Sequence, residues 1–370
     1  MKSLSQIIRA EIAATGALTF ARFMELALYC PDYGYYEQQK DTVGRRGDFI
    51  TSVSTGSLFG QLLAFQFAGW LEEIKRQRPQ VSTLTLLEAG AHDGRLAGDI
   101  LHWFQLNRPQ LFAQLQFVLL EPSPRQQAWQ RETLKPFAPR VRWAADFQAV
   151  SASTQAGSFN GIIFSNELLD AFPCHRFSWD AGQQAWFEWG VTMDAEKFVW
   201  EKISRLSSEL PVIPGQLPAA LMAVLPDGYT IEVSPAAEKW WREAAGILSC
   251  GKLLAIDYGF KGAEQISPAR PHGTMRAYFR HHFSDDLLAN PGQQDLTAHV
   301  NFPAIQQAGE EAGLATESFQ TQPQFLTCIL AKAVRDKFFG EWNASRTRQF
   351  QTLTHPEHLG RAFRVLVQSR

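Results

Sequence analysis

Short apolar runs alternate with helical periodicity between residues 81 and 174, and this alternation constrains the possible folds of the chain more than any other feature. Four buried strands are predicted there, near 83–88, 116–120, 141–145 and 161–165. Helices are predicted between them, near 95–106 and 123–134. Strands that are joined by helices pair in parallel and are covered on both faces of their sheet. The chain is therefore predicted to have an α/β fold with a doubly wound, mostly parallel sheet.

The flanking segments extend this prediction. A glycine-rich, polar loop at Gly47–Thr55 is interpreted as a lid over a ligand site. Aromatic alternation and an Asp-Ala-Gly turn within residues 175–203 predict an antiparallel insertion. Residues 316–333 are predicted to form a closing antiparallel pair. The chain is thus predicted to have three parts. Residues 1–80 form a helical N-terminal segment with the lid loop, residues 81–334 form the core with a β insertion at about 175–230, and residues 335–370 form a C-terminal helical tail.

Polar or glycine residues follow each of the four predicted strands. In chain order they are Glu88, Gly90 and Gly94, then Glu121, then Asp146, and then Asn166, Glu167 and Asp170. Ligands of such sheets bind beyond the carboxyl ends of the strands, where these residues would meet. A carboxylate suits the two hydroxyls of a ribose, and a glycine lets the backbone approach a ligand closely. The set predicts a nucleoside ligand, and the alternative is that the acids only cap helices.

The kind of nucleoside is narrowed by two motifs that the sequence lacks. The absence of G-x-x-x-x-G-K-[ST] excludes a P-loop nucleotide hydrolase, and the dinucleotide pattern G-x-G-x-x-G is not matched around His92. S-adenosylmethionine has a ribose and an adenine but no phosphate, so the turn need not hold one. This cofactor is therefore predicted, with the binding residues Glu88, Gly90, Gly94, Glu121, Asp146 and Asn166.

The net charge and the spacing of the cysteines indicate which binding partners and which cellular compartment to expect. The formal net charge is -2, which gives no basic field for a nucleic-acid partner. The four cysteines are scattered without a C-x-x-C, so reduced thiols, no metal site and a cytoplasmic location are expected. Arg9 and Glu11 interrupt the apolar stretch that a secretion signal requires. No apolar run approaches the ~18 residues of a membrane span.

Six further segments carry a resemblance to a known family. They are FARFMELALYCPDYGYY (20–36), GDFITS (47–52), SNELLDAFPCHRF (165–177), IEVSP (231–235), AIDYG (255–259) and DLTAHVNF (295–302). In this order they resemble the MidA-like family of S-adenosylmethionine-dependent methyltransferases, which includes the mitochondrial complex I assembly factor with arginine methyltransferase activity. The resemblance implies a Rossmann-like class I fold with a seven-stranded, mostly parallel sheet. It also implies a protein arginine as methyl acceptor, such as one on a respiratory complex I subunit.

An arginine acceptor would require carboxylates near the reacting nitrogen. The guanidinium has a pKa above 12 and must lose a proton during or after transfer. A carboxylate matches its planar fork and draws its charge away from the attacking nitrogen. Glu167 and Asp170, just after the fourth strand, are the first catalytic candidates, and Asp48 in the lid is the next.

Three positions depart from the family pattern. His92 stands at a family glycine, Ser54 at a family acid and Asn301 at a common aspartate. These departures favour a first alternative, a non-catalytic assembly or binding protein that retains the fold. A second alternative is a small-molecule methyltransferase, which an enclosed cavity, in place of an open groove that admits a peptide, would favour.

Overall fold

A computed structural model describes residues 3–38, 51–153, 158–203, 219–279, 282–339 and 342–370. The described helices are α1 (Leu4–Thr15), α2 (Phe20–Tyr29), α3 (Tyr35–Gln38), α4 (Leu58–Gln77), α5 (Arg95–Asn107), α6 (Pro109–Gln114), α7 (Pro124–Thr133), α8 (Phe147–Ser153), α9 (Ala219–Met222), α10 (Pro235–Ile247), α11 (Phe302–Glu311), α12 (Gln322–Arg335) and α13 (Ala344–Thr354).

The described strands are β1 (Leu18–Thr19), β2 (Leu84–Ala89), β3 (Leu115–Leu120), β4 (Val141–Ala144), β5 (Phe159–Asn166), β6 (His175–Asp180), β7 (Ala185–Asp194), β8 (Lys197–Ile203), β9 (Thr230–Val233), β10 (Leu248–Phe260), β11 (Arg276–Phe279), β12 (His282–Ser284), β13 (Asp295–Thr297), β14 (Val300–Asn301), β15 (Ala315–Thr321) and β16 (Phe363–Ser369). The four strands predicted between residues 81 and 174 are confirmed as β2 to β5.

The chain divides into two compact units, and each unit is assembled from three stretches of sequence. The first unit comprises Met1–Gln39, Asp170–Lys239 and Phe260–Pro303. The second unit comprises Lys40–Leu169, Trp240–Gly259 and Ala304–Arg370.

The large sheet has the strand order β15-β16-β10-β5-β2-β3-β4. Strands β4, β3, β2, β5 and β10 pair in parallel, whereas β16 is antiparallel to both of its neighbours. With β14, which pairs beside this path, the sheet has eight strands. The α/β class is therefore confirmed, and the predicted seven-stranded sheet is a mixed sheet of eight strands.

The parallel strands are apolar because both of their faces are covered. Every residue of Leu84–Ala89 is buried, as are all residues of β5 except Asn160. The 20-residue helix α4 packs on the sheet, with Phe67 against Phe164 at 5.0 Å between ring centroids. Burial of one such side chain stabilises the fold by about 1.5–3 kcal/mol. This packing fixes the strand ends that carry the polar residues.

The predicted antiparallel insertion is present in the first unit. Strand β6 pairs antiparallel with β7 on one side and with β9 on the other. Strands β1 and β8 each pair antiparallel with β7, so all five belong to one sheet. At the predicted turn, the Gln183 N–H donates to Asp180 Oδ1 at 2.9 Å. Trp179 is buried and meets Trp186 in a T-shaped contact at 5.4 Å. This part of the aromatic pattern covers a core.

Two predictions near the C-terminus are wrong. The second half of the predicted pair at 316–333 is α12, because Thr321 caps this helix in a reciprocal capping box with Gln324 and a proline occupies its first turn. The antiparallel partner of β15 is β16. The predicted helical tail at 335–370 contains α13 but ends in β16, which lies between β10 and β15.

Two further expectations concern the lid and the membrane. Residues 47–50 of the predicted lid, including Asp48, lie outside the described residues. The remainder, Thr51–Thr55, ends in a short 3₁₀ turn at Val53–Thr55.

Among the described helices, none combines the length and the apolar composition that crossing a bilayer requires.

Candidate functional site

The candidate site lies at the carboxyl ends of β2 and β5. Strand β2 pairs with β3 on one side and with β5 on the other, so the strand order switches direction at this pair. Such a switch point is where open α/β sheets bind ligands. The register places Glu88 beside Phe164 and Ala89 beside Ser165. The predicted residues after these two strands therefore meet.

The turn after β2 requires glycine at two positions. Gly90 has a φ of +71°, and a Cβ atom at this position would lie 2.8 Å from Leu168 Cδ1. Gly94 has a φ of +83° and stands before the first residue of α5. Its N–H donates to the Ala91 carbonyl at 2.7 Å, which closes the turn. The turn therefore contains two backbone conformations that glycine adopts without strain and that side chains disfavour.

At the site, three of the buried polar atoms lack a hydrogen-bond partner among the described residues. They are Glu88 Oε2, Ser165 Oγ and Asn166 Oδ1, at the adjoining ends of β2 and β5. Burial raises the pKa of the Glu88 carboxyl to about 8, with a smaller contribution from the charge of Asp93. Buried polar atoms are normally paired in folded proteins. A polar ligand with a cationic group would pair with this set.

His92 occupies the turn with a left-handed backbone. Its φ is +47°, and its half-buried ring lies with Nδ1 3.9 Å from Asp93 Oδ1. Its carbonyl accepts a hydrogen bond from Gln130 Nε2 at 3.0 Å. Histidine tolerates this conformation better than β-branched residues do. The turn is therefore retained although histidine replaces the glycine of the family pattern.

Glu121 follows β3 and is buried, with 4% of its surface exposed. Its Oε1 atom accepts a hydrogen bond from the Ser123 N–H at 2.9 Å, and its Oε2 atom accepts one from Gln130 Nε2 at 3.0 Å. A carboxylate is an acceptor group of the kind that the hydroxyls of a ribose require.

Asp146 follows β4 and is exposed. Its Oδ1 atom accepts a hydrogen bond from the Ala149 N–H at 2.7 Å, which caps the start of α8. This contact is the one that the alternative interpretation predicts, in which the strand-end acids cap helices. Its predicted role toward the adenine stays a prediction.

Glu167 lies directly after β5 with a φ of +53°. Its carboxylate accepts hydrogen bonds from the Ser52 N–H at 3.0 Å, from Asn166 Nδ2 at 3.1 Å and from the Tyr258 hydroxyl at 3.3 Å. Burial raises the pKa of this carboxyl to about 7, although the three hydrogen bonds act in the opposite direction. A carboxyl group that titrates near neutral pH is suited to accept a proton or to hold a cation.

Asp257 fixes the chain on either side of this carboxylate. It is fully buried, and its Oδ2 atom accepts the N–H groups of Leu168 at 3.1 Å and Leu169 at 2.8 Å. Its Oδ1 atom accepts the N–H of Tyr258 at 2.8 Å. The backbone conformation of Glu167 is therefore held from β10, the neighbouring strand.

Asp170, the second predicted catalytic acid, is built into the first unit. It is buried, and its carbonyl accepts the Ala298 N–H at 2.9 Å. In the same unit, the Tyr36 hydroxyl donates to Asp295 Oδ1 at 2.7 Å. Burial raises the pKa of Tyr36, and the charges of Asp295 and Asp170 add to this effect. A catalytic role for Asp170 stays a prediction.

Four residues of the site were missed by the sequence analysis: Ser52, Gln130, Asp257 and Tyr258. The two from the segment AIDYG were quoted only for the family resemblance, although an acid in an apolar run is a signal of a buried hydrogen-bonding role. Gln130 lies in a mostly polar helix, so the sequence does not single it out.

The chain matches known proteins over most of its length. A family model described as "Putative S-adenosyl-L-methionine-dependent methyltransferase" matches residues 62–320. The mitochondrial protein arginine methyltransferase NDUFAF7 homolog of Drosophila melanogaster is 26% identical, over 98% of this chain and 84% of the fly protein. The human mitochondrial protein arginine methyltransferase NDUFAF7 is 29% identical, over 81% of this chain and 67% of the human protein.

Two crystal structures of proteins from Burkholderia thailandensis are similar over nearly the whole chain. One, bound to S-adenosyl-homocysteine, has a TM-score of 0.81 and 32% sequence identity, and the match covers 99% of this chain and 92% of that one. The other has a TM-score of 0.78 and 30% identity, with 99% and 91% covered.

Proposed function

Because the chain belongs to this family of S-adenosyl-L-methionine-dependent methyltransferases, we propose that it methylates an arginine side chain of a protein. The observation that carries the proposal is the carboxylate of Glu167, which is half-buried, backed by three hydrogen-bond donors and titrates near pH 7. The names of the fly and human relatives support the same acceptor class.

The residues of the second unit fit the cofactor, S-adenosyl-L-methionine. When bound, this cofactor supplies a methyl group on a positively charged sulfur. Glu121 would hold the ribose hydroxyls, since its carboxylate follows β3 at the carboxyl edge of the sheet and is oriented by Ser123 and Gln130. Glu88 would hold the ammonium group, because its buried carboxylate has an oxygen without a partner among the described residues. The backbone of the glycine turn near Gly90, at the carboxyl end of β2, would meet the amino-acid end of the cofactor.

Glu167 would act on the acceptor. A guanidinium remains protonated near neutral pH, so a nitrogen becomes nucleophilic only as its proton leaves. A carboxylate can hold two of the N–H groups in a fixed geometry and direct the third nitrogen at the methyl group. The fixed position of Glu167, which Asp257 and Ser52 enforce, supplies the orientation that an in-line transfer needs.

The test is the identity of the methylated residue. Purified protein is incubated with isotopically labelled S-adenosyl-L-methionine and a protein extract from cells that lack the gene, and labelled peptides are identified by mass spectrometry. We expect labelled arginine. A subunit of respiratory complex I or its bacterial counterpart is the first acceptor to examine, as the sequence resemblance implies. Cofactor binding without labelled protein would contradict the proposal, and a labelled small molecule would replace it with the small-molecule alternative.

The compartment can be tested by fractionating cells that express the protein. We propose a cytoplasmic location, which the expectation of reduced cysteines supports. Recovery of the protein in a membrane or exported fraction after cell fractionation would contradict it.

The pH dependence follows from the pKa of Glu167. The raised pKa means that the carboxyl is protonated and inactive well below pH 7 and ionised above it. We expect kcat/KM for the acceptor to fall about tenfold for each pH unit below about 7 and to level off above it. The measurement uses saturating cofactor, so that titration of Glu88 does not enter. A flat profile between pH 5.5 and 8 would contradict this assignment.

His92 is expected to leave the cofactor site open. We predict that His92→Gly changes the affinity for S-adenosyl-homocysteine less than about threefold. Glycine adopts the left-handed conformation of residue 92 freely, so the turn should keep its shape after the substitution. Calorimetric titration measures the affinity.

Gly90→Ala serves as the control for this variant, because its Cβ would contact Leu168 at 2.8 Å in a backbone conformation that disfavours side chains. It should weaken binding about tenfold, equivalent to about 1–2 kcal/mol. A tenfold gain in affinity for His92→Gly would show instead that the imidazole obstructs the ligand.

A further inference from the structure

Helix α7 buries a polar side chain on the face that packs inward. Gln130 is the one residue of Pro124–Thr133 that is buried, and none of its surface is exposed. A surface helix normally buries an apolar stripe. Burying an amide is favourable only when its polar atoms are paired, so the function of this side chain is to be found in its hydrogen bonds.

The amide of Gln130 joins the ends of three parallel strands. Its Nε2 atom donates to the His92 carbonyl, after β2, and to Glu121 Oε2, after β3, both at 3.0 Å. Its Oε1 atom accepts from Trp143 Nε1, in β4, at 2.9 Å. A carbonyl and a carboxylate accept only, and an indole N–H donates only, so the three partners fix the orientation of the amide.

Each of these bonds constrains a part of the cofactor site. The bond to Glu121, together with that from the Ser123 N–H, fixes both oxygens of the carboxylate and hence its plane. The bond to His92 fixes a peptide group within the glycine turn. Because a trans peptide is planar, the N–H of Asp93 must point away from Gln130. One planar amide thus holds the ribose-binding acid and the turn at a constant separation.

We propose that Gln130 is a positioning residue for the cofactor, which acts by orienting Glu121 and the turn at His92 without contacting the acceptor. The proposal rests on the cofactor alone and is independent of the acceptor. It implies that Gln130 contributes to the affinity for the nucleoside part of the ligand through Glu121. A residue that only stabilised the fold would contribute equally whether or not Glu121 is present.

The test is a double-mutant cycle measured by calorimetry with S-adenosyl-homocysteine and with adenosine, below the unfolding temperature of every variant. Gln130→Met, which keeps the length of the side chain, should weaken both ligands about tenfold. In a Glu121→Gln background the same change should cost less than about threefold, because the orienting partner has already been altered. Gln127→Met is the matched control, because Gln127 donates to the Glu121 backbone carbonyl and not to its carboxylate. The control should change the affinity less than about threefold.

Two results would overturn the proposal. One is an unchanged affinity in folded Gln130→Met, and the other is an equal loss in both backgrounds, which indicates a structural role only. If Gln130→Met does not fold, Trp143→Phe tests the same network, because it removes the indole N–H that donates to Gln130 Oε1 while it keeps an aromatic ring at this position. It should weaken both ligands about threefold, and an unchanged affinity for both ligands in this folded variant would also overturn the proposal.

Discussion

Glu167→Gln is expected to lower kcat for methyl transfer at least about a hundredfold while changing the affinity for S-adenosyl-homocysteine less than about threefold. The amide keeps the size of the side chain and one acceptor oxygen, but it cannot take a proton or balance the charge of a guanidinium. A group that acts mainly in the transition state affects kcat far more than ground-state binding. Single-turnover methyl transfer and calorimetry measure the two quantities separately.

Tyr258→Phe provides a graded control for this prediction. It removes one donor at 3.3 Å from the Glu167 carboxylate and leaves the charge in place. We expect a loss of less than about tenfold, in keeping with the net contribution of one hydrogen bond to a charged group. Full activity of folded Glu167→Gln would remove Glu167 from the mechanism without affecting the cofactor assignment.

Asp257→Ala is expected to lower the free energy of unfolding by at least about 3 kcal/mol. The change leaves the N–H groups of Leu168, Leu169 and Tyr258 without their acceptor, and each such buried loss costs about 1–3 kcal/mol. That is a large fraction of the 5–15 kcal/mol that typically separates the folded and unfolded states. Denaturant unfolding, followed by far-UV circular dichroism, measures the change.

Asp146→Ala is the matched control for Asp257→Ala. It also removes an aspartate that accepts a backbone N–H, but this aspartate is exposed and caps a helix. Loss of such a cap costs about 1 kcal/mol. Equal destabilisation by the two variants would show that the hydrogen bonds of Asp257 do not stabilise the second unit as argued.

The parallel strands of the sheet were predictable because burial on both faces leaves a local record in the sequence. Leu84–Ala89 and Leu115–Leu120 are nearly continuous apolar runs, and each is bounded by polar or glycine residues. The C-terminal elements were not predicted, for two different reasons. The capping box at Thr321 is a local signal that was overlooked. The position of β16 between β10 and β15 depends on pairing with strands that are distant in sequence.

The strand-end residues of the site were also predictable from the sequence. Glu88, Gly90 and Glu121 follow predicted strands, and parallel pairing alone requires those ends to share one edge of the sheet. Their chemistry was less accessible. The residue types alone do not predict that the pKa of Glu167 is about 7 or that Glu88 Oε2 has no hydrogen-bond partner among the described residues. Both properties arise from burial and from neighbours far along the chain.

The sequence by itself therefore determined the α/β class, the succession of parallel strands and helices along the chain, and the acids and glycines at the carboxyl ends of those strands. These features depend on periodicity and on turns, which act over a few residues. Only the tertiary structure decided which side chains orient those acids. Gln130 reaches Glu121, and Asp257 holds the segment after Glu167, across contacts between elements that no local pattern encodes. Hydrogen bonds of this kind exist only once the sheet has brought distant strands side by side.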